Sequence, residues 1–242
     1  ADIYSSELAR ARNRTTMPVA VGYDEVDKRL YVAEGWSDRV LIFDVDPKRL
    51  QPGGNHQAAI VLGQDDFNSQ EPAASNNRFD FAPGPGTGLL TSGFAFDHPN
   101  NRVFISDGKN NRVLVFDKHR DRLSNGAKAI GILGQSDFDT NISRLSDDGM
   151  NSPGHLAYDP DNHRLFVLDS RNQRTLVFNV APERFKNGMP ANIVIGQPDF
   201  ISKLSPQQRQ EQATSISNTF NIVPGDGQIT DKEISAALGI AY

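Results

Sequence analysis

The sequence contains no cysteine. That single absence removes disulfide staples, thiolate metal centres, covalently attached haem and cysteine nucleophiles from the chemistry open to the chain. Also missing is any run approaching the roughly 18 consecutive apolar residues of a membrane-spanning helix. The opening residues ADIYSSELARARNRTT have no apolar stretch of the signal-peptide kind. There is no basic excess either: the formal net charge is −5, so no cationic footprint for a nucleic-acid backbone exists and no nucleic-acid partner is expected. Catalytic signatures are equally scarce, with no GxSxG elbow, no phosphate-cradling glycine loop and no HExxH zinc motif.

What is present is a repeat. The 242 residues are 37% hydrophobic and 23% charged, the composition of an ordinary globular chain of one or two domains. Along them GQDDF (63–67), GQSDF (134–138) and GQPDF (196–200) recur, and the opening ADIY fits the end of the same pattern. Their aspartates Asp2, Asp66, Asp137 and Asp199 are 64, 71 and 62 residues apart, a period that accommodates four short strands and their loops. A second series runs in phase with the first: VAVGYD (19–24), GFAFD (93–97), HLAYD (155–159) and LGIAY (238–242). Each of the first three is followed by two Val/Leu/Ile/Phe-rich runs around a polar turn, as in RLYVAEGWSDRVLIFD (29–44), RVFISDGKNNRVLVFD (102–117) and RLFVLDSRNQRTLVFN (164–179). That is the pattern of a β-hairpin. A further short strand precedes each Gly-Gln pair, which gives four strands, A to D, per repeat.

Four-stranded antiparallel units with apolar residues on both faces need neighbours on either side, and radial stacking supplies them. The expected fold is therefore all-β, a β-propeller, with a β-solenoid as the rival. Three complete blades are expected at 17–67, 89–138 and 152–200. They are flanked by the tail of a preceding blade and linker (1–16), an insertion (201–235) and the start of a next blade (236–242), as in a fragment of a six-bladed or similar ring.

The hairpin copies resemble the NHL-repeat family, whose strand ending in Asp is followed by a pattern like RLYVADSxNNRVxVFD. The GQxDF element is similar to a bacterial subset with longer repeats. This resemblance implies strand A lining a central channel, an extracellular or periplasmic location, and a binding scaffold for a protein or other macromolecular partner, or for further blades of the same protein. Related propellers that are metal-dependent lyases or lactonases make a channel-sited enzyme the alternative, with ligands partly in other blades. No cofactor is expected.

Residues repeated in every blade are read as scaffold. Arg39, Arg112 and Arg174 face Glu34, Asp107 and Asp169 across the B–C hairpins, where guanidinium and carboxylate can pair across the turn or between blades. Asp24, Asp97 and Asp159 fall where strand A turns into strand B and can bond turn amides. Asp66, Asp137 and Asp199 belong to the same repeated set. Gly63, Gly134 and Gly196, with their glutamines, are expected to let the backbone approach the next blade. Departures from the repeat are the candidates for binding. His155 stands in strand A where the other copies have Ala20, Gly93 and Gly239. Trp36, the only tryptophan, occupies a hairpin tip that elsewhere holds Lys109 and Arg171. In the insertion, Asp226 and Glu233 echo half of an EF-hand loop. Its first and third positions would be Ile222 and Pro224, which offer no carboxylate, so Thr230 or Asp231 capping a short helix is the simpler reading.

Overall fold

The computed structural model describes residues 12–81, 92–205 and 207–208. The chain divides into two compact units, Ala1–Ile201 and Ser202–Tyr242. The candidate calcium ligands Asp226 and Glu233, the proposed cap Thr230 or Asp231, the ADIY tail and the strand-A copy at 236–242 lie outside the described residues.

Within the first unit the sequence folds into three four-stranded antiparallel sheets, each in simple meander order. The first sheet contains β1 (Pro18–Asp24), β2 (Arg29–Glu34), β3 (Arg39–Asp44) and β4 (Ile60–Leu62). The second is β5 (Phe94–Asp97), β6 (Arg102–Asp107), β7 (Arg112–Asp117) and β8 (Gly131–Leu133). The third is β9 (Pro153–Asp159), β10 (Arg164–Asp169), β11 (Arg174–Asn179) and β12 (Ile193–Ile195), with a single 3-10 turn at Ser170–Asn172. The first strands lie side by side, β1 against β5 and β5 against β9, so the sheets radiate from a shared inner edge. This is the blade arrangement of a β-propeller, and a solenoid is not formed.

Strand alternation decides which side chains meet which blade. In β6, Val103 and Ile105 enter a core with Tyr31, Ala33, Val40 and Ile42 of the first blade. Between them Phe104 points the other way, into a core with Leu165, Val167, Leu176 and Phe178 of the third. Every residue of β6 is therefore buried. Each such large side chain taken out of water contributes on the order of 2 kcal/mol. We call the face of a blade that meets its successor the forward face, and the opposite one the backward face.

Backbone bonds lock the same seams. Asn125, in the loop between β7 and β8, accepts from the Val61 amide of β4 at 3.0 Å, and the Gly126 amide donates to the Val61 carbonyl at 3.0 Å. One blade on, Asn187 accepts from Ile132 of β8 at 3.2 Å and Gly188 donates back to the Ile132 carbonyl at 3.0 Å. An Asn-Gly turn thus plugs the otherwise open edge of the preceding outer strand, which satisfies an edge that would otherwise invite foreign pairing.

Candidate functional site

The B–C hairpins and the GQxDF loops come together on one rim of the blades. Each hairpin arginine occupies the centre of a clamp. Arg112 Nε pairs with Asp107 at 2.8 Å and Arg174 Nε with Asp169 at 2.8 Å, while Arg39 Nε pairs with Glu34; all six side chains are fully buried. The pairing is across the turn within one blade. The other guanidinium nitrogens reach outward to loops: Arg39, Arg112 and Arg174 donate to the carbonyls of Phe67, Phe138 and Phe200, the last residue of each GQxDF element. Arg112 also donates to the Ser75 and Arg78 carbonyls of the incoming linker at 3.0 Å each.

The acid completes the clamp from the other side. Asp107 accepts from the Asp80 amide at 2.9 Å, Asp169 from the Asn151 amide at 2.7 Å, and Glu34 from the Thr16 amide at 2.6 Å. One guanidinium–carboxylate pair therefore ties the linker entering a blade to the loop leaving it. Burial pushes the Asp107 and Asp169 carboxyls upward, opposed by the paired guanidinium and by the donated amides.

The glutamines of GQxDF act at the same hairpins. Gln64, Gln135 and Gln197 donate through Nε2 to the carbonyls of Asp38, Asn111 and Gln173 at 3.1, 3.0 and 2.9 Å. These three acceptors adopt left-handed backbone, with φ of 45°, 55° and 57°. Gly63, at φ +84°, shows why no side chain fits beside them: a Cβ there would lie 2.2 Å from the Phe79 ring and 2.9 Å from the Asp38 carbonyl oxygen. The close approach expected of these glycines is thus to the hairpin of their own blade and to the linker, while Gly126 and Gly188 make the approach between blades. Asp66 caps its own turn through the amides of Asn68 and Ser69 at 2.8 Å each, Asp137 does so for Asp139 and Thr140, and Asp199 for Ile201.

Trp36, Lys109 and Arg171 stand on this rim as the exposed residues of their hairpin turns; the rest of the first two turns is buried, and in the third Asn172 is buried while Ser170 and Gln173 are half-buried. Trp36 is 39% exposed, and its carbonyl accepts from Gln70. Lys109 reaches Asp80 at 2.9 Å while remaining half exposed, and Arg171 sits in the 3-10 turn. His155 is exposed on β9, an innermost strand. A Cβ at Gly93 would lie 2.9 Å from its Cα, so the small residue in the neighbouring blade makes room for its backbone. Of the other histidines, His56 bonds the Gln51 carbonyl at 2.8 Å, His163 the Tyr158 hydroxyl at 3.0 Å, and His98 lies 3.4 Å from Asp24. Among the described residues no group of three or more His, Asp or Glu side chains is gathered as a metal would require. A groove of about 410 Å³ is lined by Arg12, Asn13, Gln57, Asp66, Phe67 and Asn68; it takes in the end of the first GQxDF loop but none of Trp36, Lys109 and Arg171.

Two groups were missed in the sequence. Lys118, 1% exposed, crosses the first seam to Asp24 at 2.8 Å and Asp27 at 3.0 Å. Burial works to raise the Asp24 carboxyl, but its bonds to Lys118 and the Asp27 amide hold it below its ordinary value. The aligned residues Val45 and Val180 are apolar, so Lys118 was a departure from the repeat that could have been noticed. The Asn-Gly plugs of the seams were the second omission.

No family model and no curated protein matches the chain. Among solved structures it is similar to a putative 6-phosphogluconolactonase from Bacteroides uniformis, at 17% identity and a TM-score of 0.43, over 80% of this chain and 48% of that one. It is also similar to the RRP9 WD40 repeats (10% identity, TM-score 0.42, 78% and 41% of the two chains) and to a chain of a nidogen/laminin complex (11%, 0.42, 76% and 48%). The chain spans less than half the length of each of these. Its β-propeller architecture stands on the three meander sheets and their shared inner edge.

Proposed function

We propose that the chain is part of an NHL-type propeller acting outside the cytoplasm as a binding scaffold, with the B–C rim presented to a protein or other macromolecular partner. The observation that carries this reading is the exposure of Trp36, Lys109 and Arg171 at equivalent tips of hairpins that are clamped from below. A large aromatic and two cations on rigid turns lose little freedom when a partner covers them. The clamp beneath the first tip is built from Arg39, Glu34 and a loop carbonyl, so Trp36→Ala tests the contact while leaving those groups in place. Expected is a loss of partner capture at unchanged melting temperature, read by quantitative affinity capture with wild type and variant in parallel. Equal capture by both, or a loss that follows a lowered melting temperature, overturns the reading.

The exposed His155 on an innermost strand supports a second reading, a channel-sited metal-dependent lyase or lactonase-like enzyme whose other ligands stand elsewhere. Elemental analysis of the protein purified without chelator, before and after His155→Ala, separates the two. Bound metal lost in the variant favours the enzyme.

A further inference from the structure

The two seams follow one size rule. Where the forward face of one blade has a small residue on its inner strand, the next blade supplies a large one: Gly22 takes the Phe94 side chain, which would lie 2.6 Å from a Cβ there, and Ala95 shares its core with Leu156. Aromatic meets aromatic one strand further out, Tyr31 with Phe96 at 5.2 Å between ring centres and Phe104 with Tyr158 at 5.9 Å. At the outer strand, Ile60 shares its core with Leu123, and Gly131 is covered by Phe185, whose ring would be 2.4 Å from a Cβ.

Both outer faces of the three-blade array repeat these positions with complementary members. On the forward face of the third blade they are Ala157, Phe166 and Ile193, the last 48% exposed beside Ile195 at 50%. On the backward face of the first blade they are Val21, Tyr23 and Leu50, exposed at 68%, 48% and 48%. Alanine would meet valine, phenylalanine tyrosine, and isoleucine leucine, the last repeating the Ile60 and Leu123 pairing. The loop that follows Leu50 also has its glycine in the plug conformation, Gly53 at φ +72° against Gly126 and Gly188 at +65°. Val194, the counterpart of Val61 and Ile132, receives no such plug among the described residues.

We propose that the forward face of the third blade docks the backward face of the first blade of a second copy of this chain. The contact is head to tail, so two copies close on each other through two identical seams, giving six blades, inside the range of roughly four to eight over which propellers close. This goes beyond the scaffold reading and uses blade faces in place of the rim, so Trp36→Ala leaves the association unchanged.

The test is the mass in solution, by sedimentation and light scattering. Wild type is expected at twice its monomer mass of 26.6 kDa. Ile193→Asp blocks the forward face and Tyr23→Glu the backward face; both residues are exposed, and circular dichroism checks that the sheets persist. Each variant alone is expected at the monomer mass. Mixed together they are expected to form a one-to-one heterodimer, weaker than wild type, since each supplies the face the other lacks. A monomeric wild type overturns the proposal. So do open filaments, variants that still dimerise alone, or a mixture that stays monomeric.

Discussion

Lys118 shows how one side chain can set the stability of a seam. It is buried between two carboxylates of the neighbouring blade, where the aligned positions hold valine. Removing only the cation leaves the Asp24 carboxylate buried without its partner, and breaking such a pair costs about 3–5 kcal/mol. Lys118→Met is therefore expected to lower the unfolding free energy by about that amount in denaturant titration, and adding Asp24→Asn to recover part of it. Asp159 tests the opposite situation, a carboxylate at the surface. Bonds from Asn162 and Arg164 hold it down to about 2. A depressed carboxyl stabilises the fold above its unfolded value and loses that contribution as pH falls through its folded one. The melting temperature is expected to drop between about pH 4 and pH 2, with a smaller drop in Asp159→Asn.

At the scale of elements, the clamp of hairpin, linker and GQxDF loop carries the architecture. Lysine at position 112 would keep a charge for Asp107 but has no fork to serve the Phe138, Ser75 and Arg78 carbonyls together. Arg112→Lys is expected to cost at least about 2 kcal/mol, since buried acceptors lose their donors. Hydrogen exchange should quicken first in residues 134–138 and 75–80, ahead of β6 and β7. The strands themselves were legible in the sequence, because period-two alternation between Gly and Asn turns leaves few other structures open to RLYVAE or RVLVFD. The acid and arginine of each hairpin were legible as a pair for the same reason. Their second set of partners was not, because those are backbone carbonyls, which a sequence does not mark. Lys118 was visible as a departure from the repeat, but its partners and the Asn-Gly plugs were hidden by distance: Val61 and Asn125 are 64 residues apart, and only the stacking of blades brings them together. Trp36 was legible as an oddity and is exposed as its hairpin-tip position implied.

For the molecule as a whole, the two outer faces matter more than any single site. Among the described residues, six of the eleven exposed large hydrophobic side chains, Val21, Tyr23, Leu50, Leu168, Ile193 and Ile195, fall on the faces that elsewhere form seams. It is this apolar surface that the proposed association covers. If two copies close on each other, folding and association are linked, and the melting temperature rises with protein concentration. Ile193→Asp is expected to remove that dependence in calorimetric scans over a range of dilutions.

The size rule across the seams has one more consequence. Phe185 lies over Gly131, and Leu123 belongs with Ile60. Exchanging the second and third blades would press Phe185 onto Ile60, overfilling that contact, and would take from Gly131 the ring that now covers it. Each blade thus has an address, written in the volume of a few side chains. An ancestral array of identical blades could be shuffled freely. This one is a sentence whose words no longer commute.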